Sequence, residues 1–187
     1  GEKLAAALAG FAVAVEGRCC LDAGASTGGF TDCLLQRGAA CVHAVDVGYG
    51  QLAWKLRVDP RVVVHERTNV RALRRDALVP PPDLVVADLS FVSLRSLLPV
   101  LAELAGPAGE LVVLVKPQFE LGREQVEGGV VRDPQARRRA VEAVAERARQ
   151  IGLSVRGCLP SPLLGPAGNE EFFLHLTGHQ NNIGCSR

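Results

Sequence analysis

The chain has 187 residues, a net charge of +1, 48% apolar and 22% charged residues. A chain of that size can close one hydrophobic core, and the composition excludes a disordered or low-complexity segment. The balanced charge excludes a stand-alone nucleic-acid binder that works through a broad basic face. No apolar run reaches the roughly 20 residues of a membrane helix, and no basic-then-apolar leader opens the chain. The six cysteines are Cys19, Cys20, Cys33, Cys41, Cys158 and Cys185. None stands in a CxxC or Cys/His metal spacing, so the expectation is a reduced, cytoplasmic protein with inert core thiols, no metal and no membrane contact. The absence of methionine suggests a fragment that lacks a partner domain.

Apolar strands alternate with amphipathic helices, the signature of an α/β fold with a mostly parallel sheet. Leu4 to Val15 reads as a helix and Cys19 to Ala23 as a strand. A glycine-rich turn leads to a helix from Phe30 to Arg37. Strands follow at Cys41 to Val45, Val62 to His65 and Leu84 to Ala87, the last announced by Pro80-Pro81-Pro82. After a helix from Leu94 to Leu104 comes the strand Leu111 to Val115, apolar throughout as central parallel strands are. A Gly- and Glu-rich loop from Pro117 to Asp133 precedes a long helix, Gln135 to Ile151, with Pro134 at a first-turn position. Its face of Arg137, Arg138, Arg139, Arg147 and Arg149 is diluted by Glu142 and Glu146 and reads as solvated. Strands at Ser154 to Cys158 and Glu171 to Leu176 close the domain, residues 1–177, and a tail without pattern covers 178–187.

The most informative stretch is Leu21-Asp22-Ala23-Gly24-Ala25-Ser26-Thr27-Gly28-Gly29-Phe30, between the first strand and its helix. Such a turn lets a nucleotide-like ligand approach the backbone. It is not GxGxxG, and Asp22 beside it disfavours a pyrophosphate and suits a cation or amine. Asp46 ends the second strand, where an acid grips a ribose diol. Together these point to S-adenosyl-L-methionine, with Gly24, Ser26, Gly28, Gly29 and Phe30 beneath its methionine part and Val47 and Asn69 edging the adenine. The same turn contains Gly24-Ala25-Ser26-Thr27-Gly28, a match to the nucleophile elbow of hydrolases, with Asp88 and His175 following in order. That second reading is weaker: too few residues precede Ser26, and His175 lies inside an apolar strand.

Only three of the 21 basic residues are lysines: Lys3, Lys55 and Lys116. Lys116 ends a parallel strand and Asp88 ends its neighbour, so two opposite charges face the ligand edge of the sheet. Lys55, after Trp54, reads as a solvated residue.

These residues, with the motifs GEKLAAAL, LDAGASTGGFTD, AVDVGYGQLAWKLR, ERTNVR, DLVVADLSF, LVKPQFE, GGVVRDP and GNEEFFLHL, resemble the TlyA family. These are hemolysin-like ribosomal RNA 2′-O-methyltransferases whose catalytic domain is related to FtsJ/RrmJ. The resemblance runs from Gly1 to about Leu176. It implies a Rossmann-like, class I S-adenosylmethionine-dependent methyltransferase with a seven-stranded sheet and helices on both faces. It also implies a Lys-Asp-Lys-Glu tetrad, which falls on Lys3, Asp88, Lys116 and Glu171, and an amino-terminal RNA-binding domain that this chain lacks. In that scheme Lys116 acts as the base that takes the hydroxyl proton. Asp88 orients it, and Glu171 holds Lys3 or the ribose. Lys3 would sit on a frayed end. Substrates would be cytidines of 16S or 23S ribosomal RNA within ribosomal subunits. A base methyltransferase fits poorly, because Leu89-Ser90 replaces the prolines that such enzymes place before the aromatic. A membrane-active hemolysin lacks the amphipathic segment it needs. A non-catalytic RNA-binding protein stays open.

Overall fold

Seven strands form because seven short runs of β-branched and apolar residues are each bounded by turn-forming residues. In the computed structural model, which describes residues 1–178, they are β1 (Cys19–Ala23), β2 (Cys41–Val45), β3 (Val62–His65), β4 (Leu84–Ala87), β5 (Glu110–Val115), β6 (Ser154–Pro160) and β7 (Phe172–Thr177). They make one sheet in the order β3-β2-β1-β4-β5-β7-β6, parallel except for β7, which runs antiparallel to both neighbours. The chain winds outward from β1 in one direction to β3 and in the other from β4. The gap between the ends of β1 and β4 is therefore the topological switch point where such sheets bind ligands.

Helices cover both faces. Leu97, Leu98, Leu101 and Leu104 make one stripe of α4 (Leu94–Ala105), and with Val144 and Ala148 of α5 (Pro134–Gln150) they bury Leu21, Val85 and Val113. On the other face, α1 (Glu2–Gly10) and α2 (Gly29–Gln36) bring Leu4, Leu8, Phe30 and Leu34 onto Val42, Val86 and Phe173. Each fully buried side chain of this size is worth roughly 1.5–3 kcal/mol of transfer free energy. A short helix, α3 (Trp54–Arg57), lies beyond β2.

Four expectations change. The first helix stops at Gly10 and does not reach Val15: Phe11 caps it, Ala12 turns with φ 54°, and Val13 and Val15 are buried in the link to β1. The apolar run there reports burial, which an extended segment satisfies as well as a helix. Strand β6 continues to Pro160, and its alternating exposure marks an edge strand, so Cys158 is an exposed thiol and not a core one. Lys3 is not on a frayed end, because Leu4, Ala7 and Leu8 anchor its helix. Finally, the helix after the glycine turn starts at Gly29, and four short 3-10 turns, at 70–72, 75–77, 117–119 and 123–125, went unseen in the pattern. The expected tail lies, apart from Gly178, outside the described residues. Within the described residues no helix is long and apolar enough to cross a membrane.

Candidate active site

The carboxyl ends of β1, β2, β4 and β5 deliver Gly24, Asp46, Asp88 and Lys116 to one edge of the sheet. Antiparallel β7 adds to this edge from its start: Phe172 pairs with Val115, so Glu171 arrives beside Lys116. The crevice has two lobes that share Gly24, Ser26 and Asp88. One, about 580 Å³, is lined by Asp46, Val47, Asn69, Ser90 and Phe91. The other, about 450 Å³, is lined by Lys3, Gly29, Phe30 and Leu163. A larger cleft of about 870 Å³ opens elsewhere, at Arg74 to Val79 and Glu103 to Pro107, and holds none of the candidate residues.

Gly24 has φ 85°, and a Cβ there would stand 2.2 Å from the Asp88 carbonyl oxygen. Only glycine lets β1 turn this close to the end of β4. Gly28, with φ 104°, would collide with Leu52 and Leu56. It shapes the turn from behind and does not line either lobe. Four N–H groups of the turn are spent within the protein: Gly24 and Ala25 donate to Val45, Gly28 donates to Ala25, and Ser26 donates to the Asp46 carboxylate at 2.8 Å. Asp46 also accepts from the Gly48 N–H at 2.8 Å and is fixed by both bonds, while its remaining lone pairs are open to hydroxyl donors.

Asp22 departs from its expected place. It is fully buried, accepts the Thr31 hydroxyl at 2.7 Å, and lies beneath the first turn of α2 rather than in the crevice. Burial pushes its pKa up to about 7 against the lowering by Thr31, and Asp88 and Asp46 push it further up. Its Oδ1 has no partner. Its carboxylate therefore supports the turn and does not touch a ligand directly.

The tetrad residues stand as two ion pairs. Lys116 Nζ lies 2.6 Å from Asp88 Oδ1 and donates to Ser90 Oγ at 2.9 Å. Lys3 Nζ donates to Glu171 Oε2 at 2.8 Å. Asp88 and Lys3 face the crevice, whereas Lys116 and Glu171 sit behind them, 9% and 1% exposed. Glu171 Oε1 is buried without a partner against Gly165, where a Cβ would stand 2.3 Å away. Ser90 is a site residue that the sequence reading missed; its position two residues after Asp88 was the available signal. Ser26 and Phe91, on opposite lips, both adopt left-handed backbone, with φ 51° and 63°. Strain of this kind in non-glycine residues collects at functional sites.

The hydrolase triad does not form. His175 bonds Glu110 Oε2 at 2.7 Å near the opposite edge of the sheet, while Ser26 Oγ has no base beside it. Lys55 is exposed and paired with Asp32 at 3.2 Å. On α5, Arg139 pairs with Asp133 and Arg149 with Glu142 on an exposed face, whereas Arg137 is largely covered, pairs with Glu170 and donates to the Val131 carbonyl.

Comparison with known proteins agrees with this geometry. Residues 1–177 match the model of the family described as FtsJ-like methyltransferase. The chain is 62% identical over 175 residues to the 16S/23S rRNA (cytidine-2′-O)-methyltransferase TlyA of Mycobacterium tuberculosis, covering 93% of this chain and 65% of that protein. The chain thus spans a little under two thirds of that relative's length. A crystal structure from Lactococcus lactis, described there as a candidate hemolysin, superposes with a TM-score of 0.92 at 48% identity, over 95% of this chain and 86% of that one. An S-adenosylmethionine-dependent methyltransferase from Mesorhizobium loti shares the fold, with a TM-score of 0.66 at 15% identity over 95% and 98% of the two chains.

Proposed function

The chain belongs to the FtsJ-like methyltransferase family, whose cofactor is S-adenosylmethionine, and we propose that it methylates the ribose 2′-hydroxyl of ribosomal RNA. The relative's name specifies cytidines of 16S and 23S RNA, and we carry that target to this chain. With that substrate we infer that the protein works in the cytoplasm.

The crevice fits the cofactor by its donor set. Asp46, Asn69 and Ser26 offer acceptors for ribose hydroxyls and an adenine amine, on a floor of Val45, Val70 and Leu97. The acidic lining, with Asp46 and Asp88, suits a cationic ligand. Asp46, Val47 and Asn69 would hold the adenosine, and Gly24, Ser26, Gly29 and Phe30 the methionine part. When bound, S-adenosylmethionine supplies an activated methyl group on a positive sulfur.

The chain's task is then to align a hydroxyl and remove its proton. The observation that carries the reading is the placement of Lys116 between Asp88 and Ser90, which line the crevice. A neutral amine has two N–H bonds and one lone pair. Lys116 donates one N–H to Ser90 Oγ and its nitrogen lies 2.6 Å from the Asp88 carboxylate, so both residues hold the amine beside the crevice they line. The amine accepts the hydroxyl proton there, and the ammonium formed stays paired with Asp88. Lys3, held by Glu171, keeps two N–H donors for the ribose or a flanking phosphate. Ribose methylation mapped on ribosomal RNA after incubation with wild-type and Lys116→Ala protein tests the proposal. Undiminished methylation by Lys116→Ala overturns it.

A further inference from the structure

On the α4 side of the sheet, at the end of β1 and β2 away from the crevice, three soft donors meet that no single stretch of sequence brings together. Cys19 and Cys41 are register partners on adjacent parallel strands, and His43, two residues beyond Cys41, points to the same face. The two Sγ atoms and a ring nitrogen of His43 all lie within 4.8 Å of one another. His43 and Cys41 are buried, and Cys19 is half-buried.

We propose that Cys19, Cys41 and His43 form a binding site for one soft divalent cation, with Zn²⁺ as the natural occupant. Two thiolates and an imidazole are the set that zinc prefers, and two thiolates cancel the charge of the dication. Zn–S and Zn–N bonds of about 2.3 and 2.0 Å put tetrahedral neighbours roughly 3.5–3.8 Å apart, so side-chain rotation of an ångström or less closes the set. On binding, both thiol protons leave to solvent.

The surroundings supply the second requirement, an oriented imidazole. His43 Nε2 lies 2.8 Å from the Pro80 carbonyl oxygen, and the Cys19 thiol donates to that same oxygen at 3.3 Å. His43 Nε2 is thus the nitrogen beside the thiols. Its other nitrogen, Nδ1, lies 3.0 Å from His65 Nε2. Without metal, His43 donates through Nε2 and accepts at Nδ1. With metal on Nε2, the proton sits on Nδ1 and His65 becomes the acceptor, the arrangement in which a ligating histidine is normally held. His65 is then a positioning residue. The Pro80 carbonyl bonds both Cys19 and His43, so the cation would lie where this loop meets the sheet.

The test uses the full chain, stripped with chelator under reductant and titrated with Zn²⁺ and with Co²⁺. The expected result is one metal per chain, a thiolate-to-Co²⁺ charge-transfer band, and a higher melting temperature. Half-buried Cys19→Ala, which leaves the core intact, should lower Zn²⁺ affinity at least a hundred-fold, and His65→Ala about ten- to a hundred-fold. A folded Cys19→Ala chain that binds Zn²⁺ as tightly as wild type overturns the proposal, as does substoichiometric Zn²⁺ with no Co²⁺ charge-transfer band.

Discussion

The two edges of the sheet use the same ingredients to opposite ends. At the amino edge, Arg18 donates to Asp83, Glu110 and two carbonyls, and Glu110 also receives His175. This network joins the starts of β1, β4 and β5 to β7. Burial raises the Glu110 carboxyl, but His175 and Arg18 outweigh it and hold the group below its usual range. At the carboxyl edge, Lys3–Glu171 and Lys116–Asp88 are as short as the amino-edge pairs, yet Glu171 Oε1 and Asp22 Oδ1 have no partner, and Ser26 and Phe91 are strained. Ion pairs alone do not distinguish a site from a brace. Unmet hydrogen-bonding capacity coinciding with backbone strain marks the carboxyl edge, since a fold retains them only at a cost; strain alone, as at Ala12, does not.

The strongest way to break that contrast is at Lys116. Lys116→Met should cut methyl transfer by about 10²–10⁴-fold, the usual contribution of a positioned base, while leaving the melting temperature near wild type. Methyl incorporation into ribosomal RNA and thermal unfolding measure the two. A variant that is chiefly unstable rather than inactive would make this pair a brace like those at the amino edge.

Asp22 should reveal its strain through pH. Burial pushes its carboxyl up to about 7 in the folded chain, far above the ordinary aspartate value of about 3.9 that the unfolded chain has. Between these values the folded form holds a proton that the unfolded form has lost, so folding weakens as pH rises toward 7 and levels off above it. Asp22→Asn removes that slope. Relative to wild type it should gain about 2–3 kcal/mol between pH 5 and pH 8 in urea unfolding. Parallel stability curves for the two proteins would show that Asp22 is not strained.

Arg18→Ala is the converse test at the satisfied edge. It leaves Asp83 and Glu110 without their shared cation, though both keep some access to water. A loss of about 2 kcal/mol in unfolding free energy, with methyl transfer per folded molecule unchanged, is the expected outcome. Reduced turnover at full stability would erase the distinction between the edges.

Most of the sheet was legible because each strand is a short apolar run between turn residues, and β1, β2, β3 and β4 have the bounds read from sequence. The first helix was overextended where Val13 and Val15 continue an apolar pattern in non-helical backbone. At the site, Asp46, Asp88 and Lys116 could be placed because parallel strands end at one edge. The direction of a side chain could not. Asp22 precedes the glycine turn just as a ligand-binding acid would, yet the pleat turns it inward to Thr31. The cluster of Cys19, Cys41 and His43 was equally hidden, since strand register, and not spacing along the chain, assembles it.

Asp46 gives the finest discrimination, because it belongs to the carboxyl edge and yet has partners for both oxygens. Those partners, the Ser26 and Gly48 N–H groups, fix the carboxylate without exhausting it: two oxygens offer about four lone-pair directions. Asp46→Asn keeps one acceptor oxygen but turns an amine toward one of those N–H groups, and it removes the negative charge that faces the cofactor. Binding of S-adenosylmethionine should weaken by about 1.5 kcal/mol, roughly ten-fold in Kd by calorimetry. Binding of its adenosine moiety alone should fall in proportion, because the ribose hydroxyls are the proposed contact. If S-adenosylmethionine weakens while adenosine does not, Asp46 acts through charge on the sulfonium end and the ribose assignment is wrong. If neither changes, the residue serves only to close the turn, and this part of the carboxyl edge is as purely structural as Arg18.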